Sequence, residues 1–147
     1  MAPELKLEGV RFRMYRGEEL RAFGEAASAT LRRDSTRVTA RDLVAVLPEK
    51  GAPVRISAPH GEGVLSKSVF SASGGVVVSQ REDVARTASA RYEPSEGGGG
   101  LVRGDEPVVV EGTGYRLEGP RFTLDPDVGQ IVIEGGAHLD AGRGVAR

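Results

Sequence analysis

His60 and His138 are the only imidazoles in the chain, and neither stands at a metal-ligand spacing or beside a nucleophile motif. His60 falls in Pro59-His60-Gly61, which reads as a turn with its ring in solvent. Serine, histidine and aspartate all occur, but no Gly-X-Ser-X-Gly elbow presents a serine to a base. Gly112-Thr113-Gly114 lacks the third glycine and the helix of a dinucleotide site. Asp125 and Asp127 flank Pro126 with oxygens that suit Ca²⁺, yet Asp-Pro-Asp is foremost a turn. Arg103-Gly104-Asp105 matches an adhesion tripeptide that arises readily by chance. With no cysteine, thiol catalysis, disulfides and thiolate zinc sites are out of reach. The residues therefore point away from an enzyme: no catalytic residue, metal or cofactor is expected, and whatever the chain does should rest on shape and non-covalent contact.

The 147 residues carry 20 Lys+Arg against 21 Asp+Glu, without a long basic run, so nucleic acid is not an expected partner. One domain spanning 1–147 is the default, since a chain near 150 residues buries roughly 68–70% of its unfolded surface without staples. No apolar window approaches the roughly 20 residues of a membrane span or the 7–15 of a signal peptide. Met1-Ala2-Pro3-Glu4 opens inside a polar segment, so a natural leader or anchor replaced by an initiating methionine is one expectation.

The elements that must supply the shape are strands. Val76-Val77-Val78, Val108-Val109-Val110 and Ile131-Val132-Ile133 are β-branched runs too short for helices and bounded by Gly or charge. Tyr115 to Gly119 and Arg121 to Asp125 alternate with a period of two. Turns are expected at Pro59-His60-Gly61, Ser73-Gly74-Gly75 and Asp125 to Gly129, and a flexible loop at Gly97 to Gly100. Glu18 to Arg33 is ambiguous: Leu20, Phe23, Ala27 and Leu31 sit at helical spacing, while Gly24 and Ser28 weaken a helix. A repeat decides for strands. Ser57-Ala58 recurs as Ser89-Ala90 and Val76–Val78 as Val108–Val110, both at an offset of 32 residues, which indicates β units stacked along one axis.

In order, Gly51-Ala52-Pro53-Val54-Arg55-Ile56-Ser57-Ala58-Pro59-His60-Gly61, Phe70-Ser71-Ala72-Ser73-Gly74-Gly75-Val76-Val77-Val78, Thr87-Ala88-Ser89-Ala90-Arg91-Tyr92, Pro107-Val108-Val109-Val110-Glu111-Gly112 and Leu117-Glu118-Gly119 resemble the periplasmic lipopolysaccharide-transport proteins of the LptC/LptA (OstA-like) family. The resemblance implies an all-β fold, an open twisted β-jellyroll of stacked antiparallel strands, V-shaped in section, whose apolar interior receives lipid acyl chains. It implies a periplasmic location and three partners: lipopolysaccharide, the subunits of an inner-membrane ABC transporter at the N-terminal edge, and an LptA-like jellyroll at the C-terminal edge. Length and the polar segment around Arg11, Arg13 and Arg16 look more like LptC. LptC-type members have an N-terminal membrane helix that this chain lacks, a departure that a trimmed soluble domain explains.

The residues support such a groove independently. Aromatics are only 5% of the chain, and Val, Ala and Gly do not fill a sheet interior as Phe or Trp would. A buried acyl methylene contributes roughly 0.8 kcal/mol. The candidate lipid-facing residues are Phe70, Val76, Val78, Tyr92, Val108, Val110, Leu117, Phe122, Leu124, Ile131 and Ile133, each of which an ordinary β core would also use. The partner-binding edges are expected at Val10, Phe12 and Met14 in the first strand and at Ile131, Val132 and Ile133 near the end, where few residues blunt strand addition. A second copy of the chain is a further candidate for those edges. Arg86, Arg91, Arg103, Arg116 and Arg121 are candidates for lipid phosphates at the groove mouth, or for solvated sheet faces. The rival from another class is a self-assembling β-solenoid scaffold without ligand, sharing the repeat and the sticky edges. A carbohydrate-binding sandwich fits the scarcity of aromatics poorly.

Overall fold

The computed structural model describes residues 4–48, 52–94, 100–125 and 128–142. Its strands are β1 (Glu4–Arg16), β2 (Glu19–Arg32), β3 (Arg37–Leu47), β4 (Val54–Val64), β5 (Val69–Gln80), β6 (Asp83–Pro94), β7 (Gly100–Gly104), β8 (Val108–Gly112), β9 (Tyr115–Gly119), β10 (Arg121–Asp125), β11 (Gln130–Glu134) and β12 (His138–Ala141), with one 3-10 turn at Leu65–Lys67. All pairings are antiparallel and join one open sheet, ordered β1-β2-β3-β4-β5-β6-β7-β10-β11, with β8, β9 and β12 continuing from β6 as a second branch. This is the open jellyroll-like architecture expected. Among the described residues no helix is long and apolar enough to cross a membrane.

The branching follows from a bend that every strand crosses. The first half of β6 pairs with β8 at Val84–Thr87, and its second half pairs with β7 at Arg91–Pro94. Thus β7 and β8 are two halves of one bent strand, as are β9 and β10, and β11 and β12. The bend interrupts them at 105–107, Pro120 and 135–137. A proline there has no N–H to give a ladder, and Gly135 and Gly136 take φ values of +89° and +111°. In the earlier strands the bend is absorbed at Gly9 (φ +60°), Asp42 (φ +53°) and Gly74-Gly75 (φ +89° and +108°), where the positive φ suits Gly and is tolerated by Asp. The buried Thr87 donates its hydroxyl to the Pro107 carbonyl at 2.9 Å, satisfying an acceptor that the interrupted ladder leaves over.

The bend folds the sheet into two leaves. Leaf A holds the first halves of β1, β3 and β5, the second halves of β2, β4 and β6, and β7, β10 and β11; leaf B holds the rest. Their inner faces meet in one apolar core that joins Ala72, Ala90, Val102 and Phe122 from leaf A to Leu47, Val54, Ile56 and Val110 from leaf B. For Val76–Val78 and Val108–Val110 the 32-residue offset is two successive bent strands, one hairpin of the stack, whereas Ala58 lies in leaf B and Ala90 in leaf A, so the Ser57-Ala58 and Ser89-Ala90 match is not a structural equivalence.

Several local expectations change. Pro59-His60-Gly61 and Ser73-Gly74-Gly75 are not turns between strands; they lie inside β4 and β5, where the ladder shifts register between Ser57/His60 and Ser73/Val76. The segment Glu18 to Arg33 forms a strand, β2, over Glu19–Arg32, rather than a helix. The first strand starts earlier than Val10, at Glu4. Residues 97–99 of the glycine-rich loop lie outside the described residues, and Gly100 opens β7. Pro126 and Asp127 also lie outside them, while the Gly129 N–H donates to the Asp125 carbonyl at 2.9 Å, as a turn there requires.

Candidate functional site

Cross-strand partners fall into inward-facing rows that run the length of the stack. In leaf A the row nearest the bend reads Leu7, Ala29, Ala40, Gly61, Ala72, Ala90 and Gly104, then Phe122 and Ile133. From β2 to β6 this floor is made only of Ala and Gly. Opposite, leaf B presents Val10, Ala26, Leu43 and Ala58. Small side chains on facing leaves cannot meet across a separation that sheets keep at about 10 Å, so space remains.

That space is a cavity of about 320 Å³ between the leaves, lined across β1 to β6 by the floor residues together with Val10, Phe12, Met14, Leu43 and Ile56. It is roughly twice the size of an apolar cavity that stays dry and takes up benzene. Leu5, Leu7 and Leu65 are 39–43% exposed. Leu7 and Leu65 also line the cavity, so its wall reaches the surface at Leu7 on β1, the N-terminal edge of the sheet, and at Leu65 in the 3-10 turn that follows β4. Across the open side of the V, Arg21 of leaf B interacts with Tyr92 of leaf A and bonds Glu19 at 2.7 Å. Burial works against the Arg21 charge, and the hydrogen bonds to Tyr92 and Glu19 outweigh it, so its pKa rises further above the ordinary arginine value.

Toward the C-terminal end the interior is filled. Phe122 is 2% exposed and its ring covers Gly104. The same device recurs: Phe70 covers Gly63, Tyr92 covers Gly100 and Tyr115 covers Gly112, each ring occupying the place a Cβ would need, while at Gly24 the Val44 carbonyl stands nearest and the Phe12 ring beside it. Every inward aromatic thus lies on a glycine, so few rings suffice. The Tyr115 hydroxyl also donates to Asp83 Oδ1 at 2.5 Å; burial first, then this bond and the carboxylate charge, push the phenol up to about 12.

Of the candidate lipid-facing residues, Phe70 and Tyr92 line the cavity. Val76, Val78, Val108, Val110, Phe122 and Leu124 are buried in the packed core, with Leu117, Ile131 and Ile133 half-buried against it. Val10, Phe12 and Met14 do lie on an edge strand, but their side chains point into the cavity. Ile131, Val132 and Ile133 lie on β11, which has β10 as its one neighbour; Val132 faces out and is 44% exposed. The C-terminal edge is double, because β12 ends leaf B, with Leu139 at 59% exposure. The candidate arginines make surface ion pairs: Arg86 pairs with Glu111 (3.2 Å), Arg91 with Glu93 and Asp105 (3.0 and 2.9 Å), Arg103 with Glu93 (3.6 Å) and Arg116 with Glu118 (3.2 Å), and of these Arg91 is also among the residues that line the cavity. Arg121 pairs across from Glu134 at the C-terminal side of leaf A. His60 is exposed on β4, and His138 lies 3.6 Å from Asp140.

The cavity walls that sequence reasoning passed over are Leu7, Leu43 and the alanine floor. Their signal was the alternation Ala22, Gly24 and Ala26, resumed one residue out of step at Ala29 and Leu31, in which small residues take most of the inward positions. No protein-family model matches the chain, and no curated protein matches it.

Proposed function

We propose that this chain is a non-enzymatic lipid-sheltering module, in which acyl chains of an amphiphile such as lipopolysaccharide lie between the two leaves while neighbouring β-proteins attach at the sheet edges. The observation that carries the reading is the apolar cavity over the alanine floor, whose wall reaches the surface at the exposed Leu7 on the edge strand β1 and at Leu65 after β4. Several methylenes immersed there gain several kcal/mol over water at roughly 0.8 kcal/mol each. The resemblance to the LptC/LptA family adds the periplasmic setting, the inner-membrane transporter on the β1 side and the next jellyroll on the β11/β12 side, reached by strand addition.

The test is site-specific photocrosslinking. A benzophenone in place of Phe12, which lines the cavity, is expected to capture lipopolysaccharide or its lipid anchor, whereas the same group in place of Phe23, on the outer face of the adjacent strand, is not. Equal capture at both positions, or none at Phe12, rejects the reading. The rival is an assembling scaffold, favoured by the packed C-terminal half and by the strands β1, β11 and β12, which among the described residues each have a neighbour on one side only. It requires lipid-independent polymerisation and no capture at either position.

A further inference from the structure

We infer that the groove is single-ended: lipid is exchanged beside β1, and Phe122 is the stop that separates the lipid-holding half of the interior from the packed half. The inference rests on the lipid-sheltering reading and adds the direction of traffic and the residue that controls it.

The floor of leaf A changes character from one end to the other. Five successive positions, Ala29 to Ala90, carry at most a methyl group, and the cavity lies over them. The sixth is Gly104, which continues the small-residue series in sequence but not in space, because the Phe122 ring fills the volume above it. The ring is 2% exposed, and it and the buried Val108, Val110 and Leu124, unlike Ala72, Ala90 and Val102 of the same apolar core, take no part in lining the cavity. Neighbouring strands are about 4.8 Å apart, so β1 to β6 spans about 24 Å. That exceeds the roughly 15 Å that one leaflet contributes to a bilayer's hydrocarbon core of about 30 Å, so a membrane-lipid chain fits wholly on the β1 side of the ring. Passage toward β11 and β12 requires the ring to leave Gly104. The glycine is what makes that motion a local one: with no Cβ beneath it, the ring is held by packing alone.

The experiment compares benzophenone photocrosslinkers placed singly at Phe12, on the β1 side, and at Ile133, beyond the ring on β11, with lipopolysaccharide as the ligand, in the otherwise unaltered chain and with Phe122→Ala added. In the unaltered chain, capture is expected at Phe12 and at least tenfold less at Ile133. With Phe122→Ala, capture at Ile133 should rise to within about twofold of that at Phe12. Phe122→Leu, which keeps most of the volume, serves if the alanine variant fails to fold, and should give an intermediate rise. Equal capture at both positions without any substitution overturns the stop, as does an Ile133 signal that stays low in a folded Phe122 variant. Absence of capture at Phe12 itself would instead overturn the lipid-sheltering reading.

Discussion

Ala72→Leu separates a built cavity from a merely loose core. Ala72 sits mid-floor on β5, between Gly61 and Ala90, with its methyl group facing the cavity. Leucine adds three carbons, and the 320 Å³ beside it has room for them. Burying those carbons at roughly 0.8 kcal/mol each stabilises the empty protein by about 2 kcal/mol. For a domain near 150 residues each kcal/mol shifts the midpoint by about 2–4 °C, so Tm should rise by about 4–8 °C in a circular-dichroism melt. The same substitution should abolish displacement of a fluorescent fatty acid by lipopolysaccharide, because the leucine occupies the floor on which the chain lies. Opposite signs for stability and binding are the mark of a cavity kept open for a ligand. A loss of about 1–3 kcal/mol, the ordinary cost of overpacking, with binding intact would refute the reasoning.

Two glycines on the same floor row should respond differently. Gly61→Ala puts its Cβ 2.7 Å from the tip of the flexible Leu43 beside open space, and is expected to be neutral or stabilising by up to about 1 kcal/mol in urea denaturation. Gly104→Ala drives a Cβ into the confined Phe122 ring and should cost about 1–3 kcal/mol; equal effects would contradict a floor open at one end and filled at the other. Tyr115 supplies a pH dependence. Its folded pKa of about 12 lies above the ordinary 10.0, so the protonated phenol is favoured by folding, and its contribution is intact below pH 10 and lost as pH rises toward 12. The stability difference between the unaltered chain and Tyr115→Phe should be flat to pH 10 and fall above it; a flat difference to pH 12 would refute the assignment.

The class of fold was legible because Val76–Val78, Val108–Val110 and Ile131–Ile133 are strand-forming whatever surrounds them. The bend was not. In β1 the inward positions are Leu5 and Leu7 and then Val10, Phe12 and Met14, two runs of alternation out of step by one residue across Gly9. In β2 the same slip gives Ala22, Gly24 and Ala26, then Ala29 and Leu31. A period of two interrupted in this way mimics helical spacing over a window of about a dozen residues, which is why Glu18 to Arg33 read both ways. The site was less legible still. Hydrophobicity draws attention to Val110 and Phe122, which fill space, whereas a cavity is made by what is missing, here the side chains of Ala40, Gly61, Ala72 and Ala90.

Native mass spectrometry after incubation with lipopolysaccharide and removal of micelles tests the central claim most directly. The account expects a 1:1 complex that survives transfer to the gas phase for the unaltered chain and disappears for Ala72→Leu. A bare chain in both samples, or lipid retained equally by both, would contradict it.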